Sequence, residues 1–428
     1  MKYNQNINHN LFRYGLLIFT ILMSVILTIP VVAQEKSYLE YDGKVINEET
    51  GDPLVFATIS IEGTNIATVT NSEGEFRIKV PADKVNLKIL ISHIGYKNRT
   101  IPINKLDEER NKIRLEVLSV SLAEVNVFPK DADLLIRAVI NRRKENYMQN
   151  ATLMTAFYRE TIKKRRAYAS LSEAVVQIYK QPYKNSSSDH IKLLKTRKSV
   201  DYNKLDTLVL KLMGGPFNTL ILDIMKNPNM IISYDAIDQY IFALDNITKI
   251  DNRLIYVLSF KQKEWIQEPL FYGKLYIDSE SLAITKASFQ INTEFRDQVS
   301  NMYIKKKPAG AKVYITNATY MVNYREKDGE WYYGHSRGEM TFKIDWKKKL
   351  FNTIYTAQFE LAITDWEKAE SKSPIKPKDR MKMNIIMRDK ASGFSDENFW
   401  GSYNVIEPEK TIENAIKKIR KNLDKIGD

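Results

Sequence analysis

The sequence predicts a mainly β protein: a small sandwich, then a large antiparallel sheet, curved or half-closed into a barrel, with a few helices. Three observations carry that expectation. From Asp42 onward, apolar residues recur at every second position in run after run, the period at which successive side chains point to opposite faces of a strand. Turn-forming stretches such as "TNSEGEF" and "EKDGE" separate the runs, as hairpins require. Stretches of helical period are few, the clearest being residues 131–147 and the C-terminal end.

The N-terminal residues bear on compartment. Lys2 and Arg13 precede an apolar run over residues 15–29, then Pro30 and the small-residue stretch "VVA" before Gln34. The run is shorter than the ~20 apolar residues a spanning helix needs. Residues 1–33 therefore read as a signal peptide cut after Ala33, with a retained anchor as the alternative. The chain is expected to be exported, into the periplasm or onto the outer membrane. It has no cysteine, which removes disulfides, thiolate zinc sites, cysteine nucleophiles and an acylated cysteine tether together. Roughly 395 residues remain, enough to fold by core burial alone as two domains, here 38–128 and 131–428.

The net charge is +13, spread through short runs: Lys163 to Arg166, Lys305 to Lys307, Lys347 to Lys349, and "KKIRK" near the end. An exported basic chain meets anionic lipid, so a membrane face is one reading of the charge; a plain solvated surface is the simpler one. Nucleic acid is excluded as a partner, because no recognition module or stacking platform accompanies the charge.

The sandwich is read strand by strand. Val55, Ala57, Ile59 and Ile61 share one face; Phe76, Ile78 and Val80 share another around Arg77 and Lys79. Ile113, Leu115 and Val117 alternate with charged neighbours. Short alternating strands cut by turns predict a small antiparallel sandwich. In "TNSEGEF", Asn71 and Ser72 can bond nearby backbone and Gly74 supplies a positive φ. Asn71, Glu73 and Glu75 are also spaced like calcium ligands, but the strand "FRIKV" comes next where a calcium loop needs further ligands and a helix. No metal is expected there.

These residues resemble a known family. "GKVINEETGDPLVFATISIEGTNIATVTNSEGEFRIKV" with "LKILISHIGYKNRTIPI" after it looks like the carboxypeptidase regulatory-like domain. That family's transthyretin-like sandwich opens with G-x-V, here Gly43 to Val45, and continues with G-x-P-L-x-x-A-x-V, here Gly51 to Ile59. A T-x-x-x-G-x-F hairpin stands at Thr70 to Phe76, and an S-x-x-G-Y strand at Ser92 to Tyr96. The resemblance implies an accessory domain without catalytic residues. Such domains also open outer-membrane receptors and envelope proteins of the Bacteroidetes type, and "LAEVNVFP" (residues 122–129) is similar to the strand that closes the domain in those chains.

The second region begins with a helix over residues 131–147, with Asp131 or Asp133 as its cap and Leu134, Leu135, Ala138 and Val139 on one side. Strands then dominate, from "TAFYRETI" to "FNTIYTAQFELAITD", joined by hairpin turns at 278–281 and 326–330. Residues 207–228 read as helical pieces broken at Gly214-Gly215-Pro216. Consecutive hairpins make a meander, hence a large sheet. A transmembrane barrel is disfavoured because both faces of "YREKDGEWYYGHSRGEMTFKIDWKKK" carry charge. A last helix is opened by Pro408 and Thr411, with an apolar seam at Ile412, Ile416, Ile419, Leu423 and Ile426; it docks on the sheet or lies on a membrane surface. Residues 131–428 also resemble the region C-terminal to this sandwich in one type of Bacteroidetes envelope protein, through "FYRE", "SLSEAVVQIYK", "KLMGGP", "GKLYIDSESLAI" and "FWGSYNVIEPEKTIENAIKKI". The hairpins are similar, more loosely, to the sheet of periplasmic lipoprotein carriers.

One motif points to chemistry. Gly334-His335-Ser336-Arg337-Gly338 is a G-x-S-x-G, the spacing of a serine-hydrolase nucleophile. That elbow needs a helix after the serine and a histidine later in the chain. A strand comes instead, no histidine lies beyond His335, and neighbours on a strand face opposite ways. His9 falls in the signal peptide, His93 in a strand-and-turn, His190 in a polar loop; with His335 they cannot assemble a zinc site. The expectation is therefore no catalytic, cofactor-binding or metal-ligating residue and no cofactor: a non-enzymatic envelope protein that binds or assembles with envelope proteins or outer-membrane components. The alternative is a periplasmic carrier holding a lipid or acyl chain in the concave face of its sheet.

Overall fold

The computed structural model describes residues 38–118, 131–200, 212–250, 253–304, 310–347, 351–391 and 399–414. The expected signal peptide, the stretch 122–129 and most of the C-terminal apolar seam lie outside them. Seven short strands make the sandwich: β1 Tyr38–Asn47, β2 Thr58–Ile61, β3 Ala67–Val69, β4 Glu75–Pro81, β5 Lys88–Ser92, β6 Arg99–Pro102 and β7 Asn111–Leu115. They form sheets in the orders β4-β1-β7 and β3-β2-β5-β6. Alternation explains the core between them. Ala57, Ile59, Ile61, Phe76, Ile78, Val80, Ile113 and Leu115 all point inward and are buried together.

Two details of the sandwich depart from expectation. β1 and β7 run parallel, because the chain passes through the second sheet before returning beside its first strand. Val55 is only half-buried and Val117 is exposed past the end of β7; Leu54 is buried in place of Val55. The β3–β4 turn forms as read. Asn71 Oδ1 accepts from the backbone of Glu73 and Glu75, both at 2.9 Å, so that oxygen is committed to the turn. Gly74 has φ +76° and lies so close to β1 that a Cβ would meet the Val45 carbonyl at 2.7 Å.

The second region opens with α1, Ala132–Asn146, whose cap Asp131 accepts from Asp133 and Leu134 backbone N–H. Leu135, Ile136 and Val139 form its buried side, while Leu134 is exposed. Three consecutive apolar residues left the stripe ambiguous by one position, and packing chose Ile136. Ten long strands come next: β8 Thr152–Lys164, β9 Ala167–Lys180, β10 His190–Val200, β11 Tyr240–Ile250, β12 Arg253–Gln262, β13 Phe271–Asp278, β14 Ile284–Ile291, β15 Ala311–Lys327, β16 Glu330–Trp346 and β17 Thr353–Lys368. They form one sheet in the order β10-β9-β8-β17-β16-β15-β14-β13-β12-β11. Two meanders are thus fused where the last strand pairs with β8, and the sheet stays open, with β10 and β11 at its edges.

β10 corrects the reading of His190 as a loop residue. His190 starts the strand opposite Tyr179 and stacks on its ring at 5.9 Å. Lys192, Lys195, Arg197 and Lys198 obscure the alternation of β10 in the sequence.

The inner face of the sheet carries the main core. Against it pack α1, α2 Pro216–Ile221, α3 Tyr234–Ile237, α4 Arg296–Tyr303 and α5 Met387–Lys390, contributing among others Val139, Leu220, Ile237, Val299 and Met387. α2 starts directly after Gly214-Gly215, with Pro216 at its first turn. α4 was not legible in the sequence: its buried residues are Val299 and Ser300, too few for an apolar stripe. The outer face carries the sandwich and residues 399–414.

Candidate functional site

The G-x-S-x-G motif lies within β16, and the strand context expected from the sequence holds. Gly334 is the extra residue of a β-bulge, since His335 pairs with Asn323 while Tyr333 pairs with Tyr324. The bulge turns Tyr333 and Ser336 to the inner face together. Gly338 is needed for contact: a Cβ there would run into the Phe359 ring. Ser336 is fully buried and donates to the Thr219 carbonyl at 3.0 Å, with the Tyr333 hydroxyl 2.6 Å away. His335 points to the outer face, its ring centroid 5.0 Å from that of Phe56 in the sandwich. The two residues cannot act on each other.

Around Ser336 the inner face holds a buried ionic cluster that sequence reasoning missed. Lys180 Nζ lies 2.8 Å from both Asp189 and Asp223. Asp223 also accepts from Tyr183 and Tyr324, each at 2.9 Å. Burial alone would drive the ammonium towards neutrality, but the two carboxylates outweigh it and hold the Lys180 pKa above its usual range. Every charge in this cluster faces a partner. The sequence signal was a lysine closing the mostly apolar "AVVQIYK".

The outer face has a second cluster, built from "FYRE". Phe157 and Arg159 point outward, Tyr158 and Glu160 inward. Arg159 and Arg197 grip opposite oxygens of the fully buried Glu173, each at 2.7 Å. Burial would raise that carboxyl, but Arg197 and Arg159 hold its pKa below the usual range. Glu360 links Arg159 at 3.4 Å to Arg337 at 3.6 Å. On the inner side Glu160 accepts from Tyr158 at 2.9 Å, and burial lifts its pKa to about 7.

Residues 399–414 lie across this cluster and join it to the sandwich. Arg159 donates to the Ile406 carbonyl at 2.8 Å, and Trp400, Val405 and Ile406 pack with Phe157, Val175 and Val69 of β3. The Asn404 amide completes the free edge of β4, accepting from Lys79 N–H at 2.7 Å and donating to its carbonyl at 3.2 Å. Thr68 donates to the Val405 carbonyl at 3.1 Å. Glu407 lies 3.2 Å from Arg77; burial outweighs that cation and raises its pKa to about 7.

Sandwich and sheet meet directly beside this segment. Thr58, Thr68 and Val69 face Asn323, Arg325, Gly334, His335 and Ile363 across a cavity of about 10 Å³, room for about one water. Arg325 Nε, Asn323 Oδ1 and both ring nitrogens of His335 have no hydrogen-bond partner there. Desolvation, with Arg337 and Lys286 nearby, lowers the His335 pKa to about 3, so the ring is neutral and packs as an apolar plate. A similar cavity lies between Arg159, Arg337, Glu360 and Glu409. Among the described residues, no group of three or more His, Asp or Glu is placed to hold a metal ion.

Fold and joint together define the class: a seven-stranded sandwich docked on the outer face of an open ten-stranded sheet. Residues 41–127 match the family model described as the CarboxypepD_reg-like domain, so the sandwich is a carboxypeptidase regulatory-like domain, as its motifs implied. Among solved structures, the chain is similar to a DUF1329 family protein from Desulfovibrio piger, at 11% identity and TM-score 0.23, covering 57% of this chain and 96% of that one. It is also similar to a LolA superfamily protein from Nitrosomonas europaea, at 11% identity and TM-score 0.20, over 55% and 94%. Lipovitellin, in a structure described for its lipid–protein interactions, matches at 8% identity and TM-score 0.24, over 53% of this chain and 26% of its own. At such scores these likenesses assign neither fold nor ligand to this chain. No curated protein matches it.

Proposed function

We propose that this chain is exported to the cell envelope and acts there, without catalysis, as a binding or assembly unit for envelope proteins or outer-membrane components. The observation that carries the reading is the state of the one motif suggestive of chemistry. Ser336 is fully buried, spends its hydroxyl on the Thr219 carbonyl, and sits on the opposite face from His335. The charges of the Lys180 and Glu173 clusters are spent on one another, which rigidifies a scaffold and positions surfaces. A regulatory-like sandwich fixed to a broad sheet suits presentation of a surface to a partner.

Cross-linking in intact cells, with identification of the attached molecules, tests this. Periplasmic or outer-membrane partners are the expected result; cross-links to cytoplasmic proteins alone would overturn it. Ester or peptide turnover by the purified chain that disappears in Ser336→Ala would restore the hydrolase reading. Carriage in the inner face requires the chain's own Leu220, Ile224, Ile231 and Ile232, now packed there, to give way. An acyl chain co-purifying in native mass spectrometry would favour it.

A further inference from the structure

The register brings two hairpin tips together at one end of the large sheet. Tyr355 pairs with Lys164, Ile354 pairs with Lys343, and the Arg165 N–H donates to the Ile354 carbonyl at 2.9 Å. The β8–β9 turn and the start of β17 are therefore in contact, with the start of β15 beside the end of β16. Phe351 stands at this point 73% exposed, and Ile354 is 40% exposed. Lys164, Arg165, Arg166, Lys312, Lys343 and Lys347 lie on the same strand ends and turns, with Lys343 3.9 Å from Asp345. Among the described residues of these tips (163–167, 310–312, 343–347 and 351–354), Asp345 is the one carboxylate.

An exposed aromatic among cationic strand ends is costly to leave in water and matches one partner. The ring enters the headgroup–acyl boundary while the cations meet anionic headgroups, the arrangement of interfacial anchors. A solvated basic face has no use for a phenylalanine at its apex, and a soluble polyanion gains little from one. We infer that this end of the sheet, centred on Phe351 and the β8–β9 turn, is a docking surface for an anionic bilayer. The inference deepens the envelope reading above and depends on it only for the chain meeting a bilayer. Cross-linking tests export; the vesicle experiment tests the surface itself.

The test is partition of the full chain into vesicles of phosphatidylcholine alone and of equal parts phosphatidylcholine and phosphatidylglycerol. The apolar run near the N-terminus contributes alike to both, so the ratio between the two isolates the attraction of charge, and the variants below assign it to the tips. Strong preference for the anionic vesicles is expected. Arg165→Glu with Arg166→Glu and Lys347→Glu, all exposed, should lower anionic binding on the order of 100-fold, at the energy typical of each juxtamembrane charge. Lys105→Glu with Lys112→Glu and Lys144→Glu, an equal charge change elsewhere on the exposed surface, should lower it far less. Phe351→Ser should cost roughly tenfold, as partial burial of one aromatic predicts. Equal partition into both vesicles would overturn the proposal, as would equal effects of the two triple variants. So would an unchanged Phe351→Ser together with full competition by heparin, which would identify a soluble polyanion instead.

Discussion

At the scale of single residues, buried charges decide what this fold tolerates. Lys180 sits between Asp189 and Asp223 with no exposure, so Lys180→Met strands two carboxylates in the core. Breaking a buried pair in this way typically costs about 3–5 kcal/mol, and a denaturant midpoint would report it. Adding Asp223→Asn to Lys180→Met should recover part of the loss, because the Asn oxygen still accepts from one of Tyr183 and Tyr324, its NH2 donates to the hydroxyl oxygen of the other, and one stranded charge disappears. Simple additivity of the two would contradict the cluster as described.

Two further residues set opposite pH limbs. Glu160 has a folded pKa of about 7 against an ordinary 4.5, so its contribution falls as pH rises from 4.5 to 7. His335 has a folded pKa of about 3 against 6.5, so its contribution falls as pH drops from 6.5 towards 3. Each limb is at most about 1.4 kcal/mol per pH unit. Glu160→Gln should flatten part of the first, since Glu407, also raised to about 7 by burial, keeps the rest, and His335→Phe should flatten the second, read from unfolding free energy across pH 3–8. His93, lowered to about 4 chiefly by burial, keeps part of the acid limb in the His335 variant.

At the scale of elements, strands with one buried face were legible and those with mixed roles were not. β15 alternates cleanly because one side meets the inner core, as do the stretches of β16 and β17 that the sandwich leaves uncovered. β10 was hidden because its cations serve both faces: Lys195 reaches the Phe399 carbonyl on the outer side, and Lys198 the Arg388 carbonyl on the inner. Residues 399–414 carry no periodic signal over most of their length, since they act through single contacts rather than a stripe. Their most informative contact is Asn404 on the edge of β4. Asn404→Ala leaves a buried N–H and carbonyl of Lys79 unpaired, a cost of about 1–3 kcal/mol. It should also speed hydrogen exchange at the Lys79 amide while leaving Ile78, bonded within its own sheet, protected. Equal exchange at Lys79 before and after would mean that this segment does not hold the sandwich.

At the scale of the whole molecule, local periodicity spoke for each sheet but not for their docking. The joint depends on residues hundreds of positions apart, such as Thr68 with Val405 and Arg159 with Ile406. Nothing in a single sequence ties those together. The order of histidines along the chain was enough to disfavour a hydrolase; the reason Ser336 is held in place needed Thr219 and the bulge at Gly334. What emerges is a unit from Tyr38 onward whose polar interior serves as mortar. Scanning calorimetry of the full chain puts that to the most direct test. Sandwich and sheet should unfold in one cooperative transition, with Asn404→Ala and Lys180→Met both shifting the same peak. Two separate transitions, each moved by only one of these variants, would contradict it.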